Sequence, residues 1–344
     1  MTTADPVVLA VVGAGGWGRN LVRNYADLPG VELRYVCDKS QAAREAAARA
    51  HPRVRAVEDL APVLADREVR AVVVCTDAPS HHEVALAALR AERDVFVEKP
   101  LTLSAQTSEE LCRAATASSR ILMVGHLLLY HPAVEMLRNI IEQGELGDVL
   151  YVYAQRLNLG VVRRDENAWW SLAPHDISVA NYLLGDVPAS VTASGGTFLQ
   201  RERALEDVVF ATLHYPAGRL AHVHVSWLDP HKTRRLTVVG SKKMAVFDDA
   251  SADQKLVLFD KGVEPPATLT YEEGVRIRTG DIRIPALRMV EPLRRECEAF
   301  VRAVRTRETP RASGVSGLAV VRALEAGSRS LAELGRRVEI ERAQ

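Results

Sequence analysis

Six apolar residues, Val7–Val12, run directly into Gly13-Ala14-Gly15-Gly16-Trp17-Gly18, and a helix-patterned segment, Trp17–Asp27, follows. A continuous apolar run bounded by glycine reads as a strand buried on both faces. The pattern G-x-G-x-x-G between strand and helix is the dinucleotide-binding fingerprint. Gly13 permits the tight turn, Gly15 lets a pyrophosphate approach the backbone, and Gly18 lets the helix pack on the strand. Gly16 and Trp17 complete the loop, and the helix start offers open N–H groups to phosphate. Asp38 ends the second strand, twenty residues after Gly18. A carboxylate there accepts hydrogen bonds from a ribose and repels a 2′-phosphate, so NAD is expected rather than NADP. Lys39 beside it is a cation that could accept a phosphate, and the plainer role for Asp38 is capping the next helix.

The next hundred residues keep the same alternation. Leu33–Cys37, Ala71–Cys75, Val95–Val97 and Ile121–Val124 read as strands; Ser40–Ala50, Glu83–Arg90 and Thr107–Ala117 read as helices. Strand–helix alternation implies a parallel, doubly wound sheet with right-handed crossovers. After Gly125 the pattern changes. Helices Ala133–Glu142 and Trp169–Leu184 flank a strand, Val149–Asn158. From Val187 to about Leu269 short strands follow one another: Val208–His214, Leu220–Trp227, Arg235–Val239, Lys243–Phe247 and Lys255–Phe259. Consecutive strands without helices predict a large, mostly antiparallel open sheet. Helices over Ala286–Arg305 and Gly317–Leu334 close the chain. The expected organisation is therefore α/β: a Rossmann domain over 1–125, then an α+β domain over 126–344 for substrate and oligomer contacts, with the chain end free to cross back.

At 344 residues, 47% hydrophobic and 26% charged, the chain can bury two cores without staples. Zero formal net charge argues against a nucleic-acid partner. Four scattered cysteines, with no C-x-x-C pair and no histidine at ligand spacing, predict reduced thiols and no metal. The N-terminal segment lacks a basic region, and no apolar run reaches membrane length, so a cytoplasmic protein with no membrane partner is expected.

The strand at Val95 runs into Glu98-Lys99-Pro100, which puts Lys99 at the carboxyl end of a parallel strand, where such sheets bind ligands. Together with the glycine fingerprint, Asp38, the Thr76, Pro79 and His81 group after the preceding strand, and a later aromatic-rich helix bearing His175, this tripeptide resembles the Gfo/Idh/MocA oxidoreductases over nearly the whole chain. The resemblance implies that Lys99 reaches the reacting oxygen near the nicotinamide and that His175 is the general base. It further implies that Glu98 and Pro100 shape the loop, with a cis peptide before the proline, and that Gly125, His126 and Tyr130 line the sugar pocket.

That chemistry needs these residue types. Oxidising a secondary alcohol requires a hydride acceptor, which the cofactor supplies, and a proton acceptor, which a neutral histidine supplies at neutral pH. Lysine polarises the oxygen. Two positions depart from the family pattern. Ser171 stands four residues before His175 where the family commonly places an acid, leaving Asp176, Lys99 or water to support the histidine. Asp77 stands where the family usually has proline. Three strings, Trp17–Asn24, Glu166–Asp176 and Val225–Lys232, resemble the nucleotide-sugar branch, which oxidises or re-reduces C3 of sugar nucleotides in amino- and deoxysugar biosynthesis. In that reading Arg156, Arg163 and Arg164 are either placed to meet a pyrophosphate or, in so arginine-rich a chain, solvated surface residues, and Trp170, Ser171 and Asp176 face the sugar. At least one of Trp169 and Trp170 is expected in the core. An inositol or free-sugar dehydrogenase and a non-catalytic NAD-binding sensor are the alternatives. His222 and His224, alternating on one strand, are expected in packing or at a partner surface. Trp227 and the valine-rich strands predict an apolar sheet face covered in a homodimer or homotetramer.

Overall fold

The computed structural model describes residues 5–160, 162–163, 166–264 and 276–341. The chain divides into two compact units, Met1–Tyr130 with Val290–Val321, and His131–Met289 with Arg322–Gln344. The division differs from the expected boundary at 125 because the chain returns to the first unit after residue 289.

The first unit begins with β1 (Val7–Val12), α1 (Gly18–Ala26), β2 (Val31–Cys37), α2 (Gln41–Ala50), β3 (Arg55–Val57) and α3 (Ala61–Ala65). It continues with β4 (Ala71–Val74), α4 (His81–Arg90), β5 (Asp94–Glu98), α5 (Ala105–Ala117) and β6 (Leu122–Gly125). The strands pair in parallel in the order β3-β2-β1-β4-β5-β6. Every residue of β1, β4, β5 and β6 is buried, which is why these strands read as unbroken apolar runs. Strand order reverses between β1 and β4, so a crevice opens at their carboxyl ends. The residues after β1, β2, β4, β5 and β6 are Gly13, Asp38, Cys75–Thr76, Lys99 and His126, so one edge of the sheet collects every candidate from this unit.

The second unit holds α6 (Pro132–Glu142), β7 (Val149–Leu157), α7 (Ala168–Leu184), β8 (Ser190–Gly196), β9 (Val208–His214), β10 (Leu220–Ser226) and β11 (Thr233–Gly240). β12 (Met244–Asp248), β13 (Leu256–Glu264) and β14 (Arg276–Arg283) follow. The chain then forms α8 (Pro292–Thr306) in the first unit, α9 (Gly314–Ala332), which starts in the first unit and ends in the second, and β15 (Val338–Glu339). The sheet order is β14-β13-β12-β11-β7-β10-β9-β8-β15, antiparallel apart from the β7–β10 pair. The expected strand run to Leu269 passes beyond the described residues. The helix expected from Ala286 starts at Pro292, because proline favours the first helical turn and holds Glu291 before it in an extended ψ of 116°.

α7 packs on β7 and β10, covering Val152, Ala154, Val223 and Val225, all essentially buried. Trp227 and the valines therefore face the helices, not a partner as expected. The opposite face carries Tyr151, Tyr153, Phe210, Leu220, His222 and His224. There His224 stacks on Phe210 at 4.2 Å, and His222 lies against Tyr153 and within 3.2 Å of the Thr212 hydroxyl. Among the described residues no group of His, Cys, Asp and Glu could hold a metal ion, and no helix is long and apolar enough to cross a membrane.

Trp169 anchors α7 to α9: it is fully buried, and its indole N–H donates to the Leu324 carbonyl at 2.9 Å. Gly327 makes room for the ring, since a Cβ there would stand 2.6 Å from the indole. Alanine in place of a helix-interior glycine ordinarily gains about 1 kcal/mol. Here the sign reverses: Gly327→Ala is expected to destabilise by about 1–3 kcal/mol through overpacking, read as a lower urea midpoint with an unchanged slope.

Candidate active site

The glycine loop is built by close backbone approach. Gly13 adopts φ +92°, and a Cβ on it would lie 2.3 Å from the Cys75 carbonyl oxygen; a Cβ on Gly18 would lie 2.1 Å from the Gly13 oxygen. Around Gly15 and Gly16, in contrast, nothing lies within 4 Å of the Cβ position. The loop is thus closed towards the sheet and open outwards, as a dinucleotide requires. No side chain caps the first turn of α1; its Arg19 and Asn20 amides donate to the Gly15 and Trp17 carbonyls at 3.2 Å and 2.8 Å, and the positive end of the helix dipole faces the loop. Asp38 accepts from the amides of Ala14 at 2.7 Å and Ser40 at 2.8 Å. Each carboxylate oxygen keeps a second lone pair, so ribose hydroxyls can still be met. These residues fit NAD. α2 is capped by the Ser40 hydroxyl, which accepts from Ala43, so capping is not the role of Asp38.

After β5 the Lys99–Pro100 peptide is cis. Glu98 is buried; its carboxylate accepts from the indole N–H of Trp17 at 2.7 Å and from the Lys99 amide at 3.1 Å. Burial pushes the Glu98 carboxyl up, opposed by Trp17 and Lys99. Trp17 is 46% exposed although its N–H is engaged, so the indole spans from the loop surface to the base of the site. The Lys99 side chain is half-buried. His126 is 1% exposed, and neither ring nitrogen has a hydrogen-bond partner among the described residues. Burial, and then the Lys99 charge, push its imidazole down to about 3. Thr76 and Ser80 share a hydroxyl hydrogen bond of 2.7 Å, and Pro79 is exposed.

Two of the expected ligand contacts are turned inwards. His81 is buried, with Nδ1 2.8 Å from the Pro100 carbonyl and Nε2 3.2 Å from the Thr76 carbonyl. It ties the β4 loop to the lysine loop instead of offering an atom to the cofactor. Tyr130 is buried too; its hydroxyl accepts from the Ala312 amide at 3.4 Å and its ring carries the Arg311 guanidinium at 5.5 Å. It packs within the first unit.

In the second unit α7 carries His175, half-buried, with Pro174 before it inside the helix. Ser171 is buried one turn earlier. Arg156 and Asp176 form a bidentate pair: Nε–Oδ2 is 2.8 Å and Nη2–Oδ1 is 3.0 Å. Both are buried, and the partner each shows is the other rather than the expected pyrophosphate and sugar. The pair locks α7 to β7 immediately beside His175. Trp169 is the core tryptophan, while Trp170 is half-exposed and donates to the Ser328 hydroxyl at 2.9 Å. Arg163 is paired with Glu166 at 3.1 Å, and Arg164 lies outside the described residues.

Residues 7–126 match the model of the oxidoreductase family with an NAD-binding Rossmann fold, and residues 134–246 match the GFO/IDH/MocA C-terminal domain. The chain is a Gfo/Idh/MocA oxidoreductase. It is 26% identical to inositol 2-dehydrogenase of Rhizobium meliloti, over 95% of this chain and 97% of that one. It is 28% identical to UDP-N-acetylglucosamine 3-dehydrogenase of Acidithiobacillus ferrooxidans, over 91% and 93%. A solved structure from Magnetospirillum magnetotacticum MS-1 superposes with a TM-score of 0.79 at 31% identity, covering 94% of this chain and 99% of the other.

One buried acid in this oxidoreductase escaped the sequence reading. Glu296 is fully buried, and neither carboxyl oxygen has a hydrogen-bond partner among the described residues. Burial, then the Glu98 charge, hold it well above the usual carboxylate range. Its signal was present: Leu293, Cys297, Phe300 and Val304 form the apolar stripe of α8, and Glu296 falls within it.

An unfolded imidazole takes up a proton near pH 6.5, whereas folded His126 does so only near 3. Protons therefore favour the unfolded state as pH falls through 6.5 towards 3, by up to about 1.4 kcal/mol per pH unit. The raised Glu296 carboxyl acts in the opposite sense, so the expected outcome is a difference: between pH 7 and pH 5 the wild-type urea midpoint should fall relative to that of His126→Phe. Equal slopes in both proteins would exclude His126 as the source.

Proposed function

We propose that this oxidoreductase passes a hydride between NAD and a secondary alcohol or ketone, at C3, of a nucleotide-linked sugar, in amino- or deoxysugar biosynthesis. The observation that carries the reading is the group at the carboxyl end of β5. There Lys99, on a cis-proline loop, shares its surroundings with the buried imidazole of His126, at the edge that also holds the glycine loop and Asp38. When bound, NAD supplies the hydride acceptor. Lys99 holds the reacting oxygen and stabilises its negative charge; His175 takes the hydroxyl proton, or returns it in reduction. Ser171 carries no charge, and the Arg156–Asp176 pair fixes the α7 backbone beside His175. Arguments for the nucleotide-linked substrate are the 3-dehydrogenase relative and the Val225–Lys232 string; the inositol 2-dehydrogenase relative supports a free polyol instead. We place the enzyme in the cytoplasm, where the buried thiols of Cys37 and Cys297 stay reduced.

NADH absorbance with NAD and UDP-N-acetylglucosamine, its uronic acid or myo-inositol tests the reading. Turnover with a UDP-sugar should fall by about 10³-fold or more in Lys99→Ala, the scale of losing a transition-state donor, while NAD binding persists. Turnover with myo-inositol alone would move the substrate class. Asp38→Ala should raise activity with NADP relative to NAD.

We also propose that the outer face of the second sheet, around Tyr151, Phe210 and His224, is covered by a second copy of the chain. Sedimentation should give a dimer or tetramer, and Phe210→Glu should shift it towards monomer; a wild-type monomer would contradict this.

A further inference from the structure

Two arginines meet across one rung of the second sheet. Arg156 on β7 and Arg234 on β11 are direct cross-strand partners. Both point to the helix-covered face, since Ala154 and Leu236, one rung along, are buried there. Like charges placed opposite each other destabilise a sheet unless anions compensate.

Compensation is unequal. Arg156 has the full bidentate partner Asp176. The ion contact of Arg234 among the described residues is Asp249, with Nη1–Oδ2 at 3.9 Å, too long for a hydrogen bond. Asp249 also lies 3.5 Å from Nε2 of His131, whose Nδ1 accepts from the Ala133 amide. With Nδ1 an acceptor, Nε2 carries the proton and faces Asp249, so that carboxylate is shared. Burial and the Arg156 charge together press the Arg234 guanidinium below the ordinary arginine range, in spite of Asp249 and Asp176. Its side chain is nevertheless 43% exposed, so a ligand can reach it.

The mounting is firm. The turn before β11 is fixed by Pro230, by the Leu228 amide donating to the Ser226 hydroxyl at 2.9 Å, and by the His231 amide donating to Asp229 at 2.9 Å. Arg234 thus sits on a rigid strand start, lacks a hydrogen-bonded counter-ion among the described residues, and faces a second cation that already has one. A guanidinium in that state matches the bidentate geometry of phosphate oxygens.

We propose that Arg234 binds the diphosphate of the nucleotide-linked substrate and selects for charged over uncharged sugars. The assignment rests on the function proposed above. Steady-state rates with UDP-N-acetylglucosamine should show KM raised about tenfold or more in Arg234→Leu, the loss of a charged hydrogen bond. kcat should stay within about threefold and KM for NAD unchanged, as for loss of uniform binding. Arg234→Lys, which keeps the charge without the fork, should recover part of the KM. An unchanged KM in folded Arg234→Leu overturns the assignment and leaves the proposed function standing. Calorimetry with UDP on the NAD-loaded protein separates the other failure. UDP binding that weakens in Arg234→Leu supports the assignment even where no UDP-sugar is turned over, and equal or absent UDP binding overturns it.

Discussion

The architecture of the first unit depends on three backbones meeting without side chains between them. The end of β1, the start of α1 and the end of β4 converge at Gly13, Gly18 and Cys75, where Cβ atoms on the two glycines would stand 2.3 Å or less from carbonyl oxygens. Hydrogen alone fits there. This contact brings the start of α1 to the point where the strand order reverses, and it holds the Ala14 amide where Asp38 can reach it. The Thr76 loop follows β4 out of the same contact, and His81 links it onwards to the lysine loop. An error of one methyl group at Gly18 would therefore disturb the glycine loop, Asp38 and the lysine loop together.

Strands buried on both faces were legible because nothing but apolar residues can occupy them, and the glycine loop was legible because its steric demand is written in residue type. β3 and α3 were not: three and five residues are too short to show a period. A crossing back of the chain end was foreseeable, but which surface α8 meets in the first unit was hidden. Amphipathicity shows that a helix has a partner, not which one; Phe300 finds Phe96, and Arg307 finds Asp94, over two hundred residues back. Contacts within the site were hidden for the same reason. Residue type does not show that twenty residues of chain fold Arg156 and Asp176 onto one another, or that Arg311 lies across Tyr130.

Around Lys99 the protein disfavours other charge. Burial raises the Glu98 and Glu296 carboxyls and lowers the His126 imidazole, so each is driven towards its neutral form. Neutral, poorly polarisable surroundings lower the effective dielectric and lengthen the reach of whatever charge remains. An oxyanion forming beside the Lys99 ammonium would be stabilised far more strongly there than beside a surface lysine. The thermodynamic consequences oppose one another: His126 weakens the fold as pH falls, whereas the raised carboxyls of Glu98 and Glu296 weaken it as pH rises.

The parallel pair β7–β10, alone in an otherwise antiparallel sheet, changes what the second unit can do. Two parallel strands cannot be joined by a hairpin, so the chain between them must cross over, and α7 lies on that crossing. Locally the second unit therefore repeats the strand–helix–strand logic of the first, with the helix beginning beside the carboxyl ends of both strands. In such a unit the carboxyl edge is the face where backbone pairing ends and ligands enter. Arg156 and Ser226 mark that edge. An insertion or deletion in the β7–α7 connection would displace His175 along it, whereas one at the opposite edge, in the β9–β10 turn, would leave it in place.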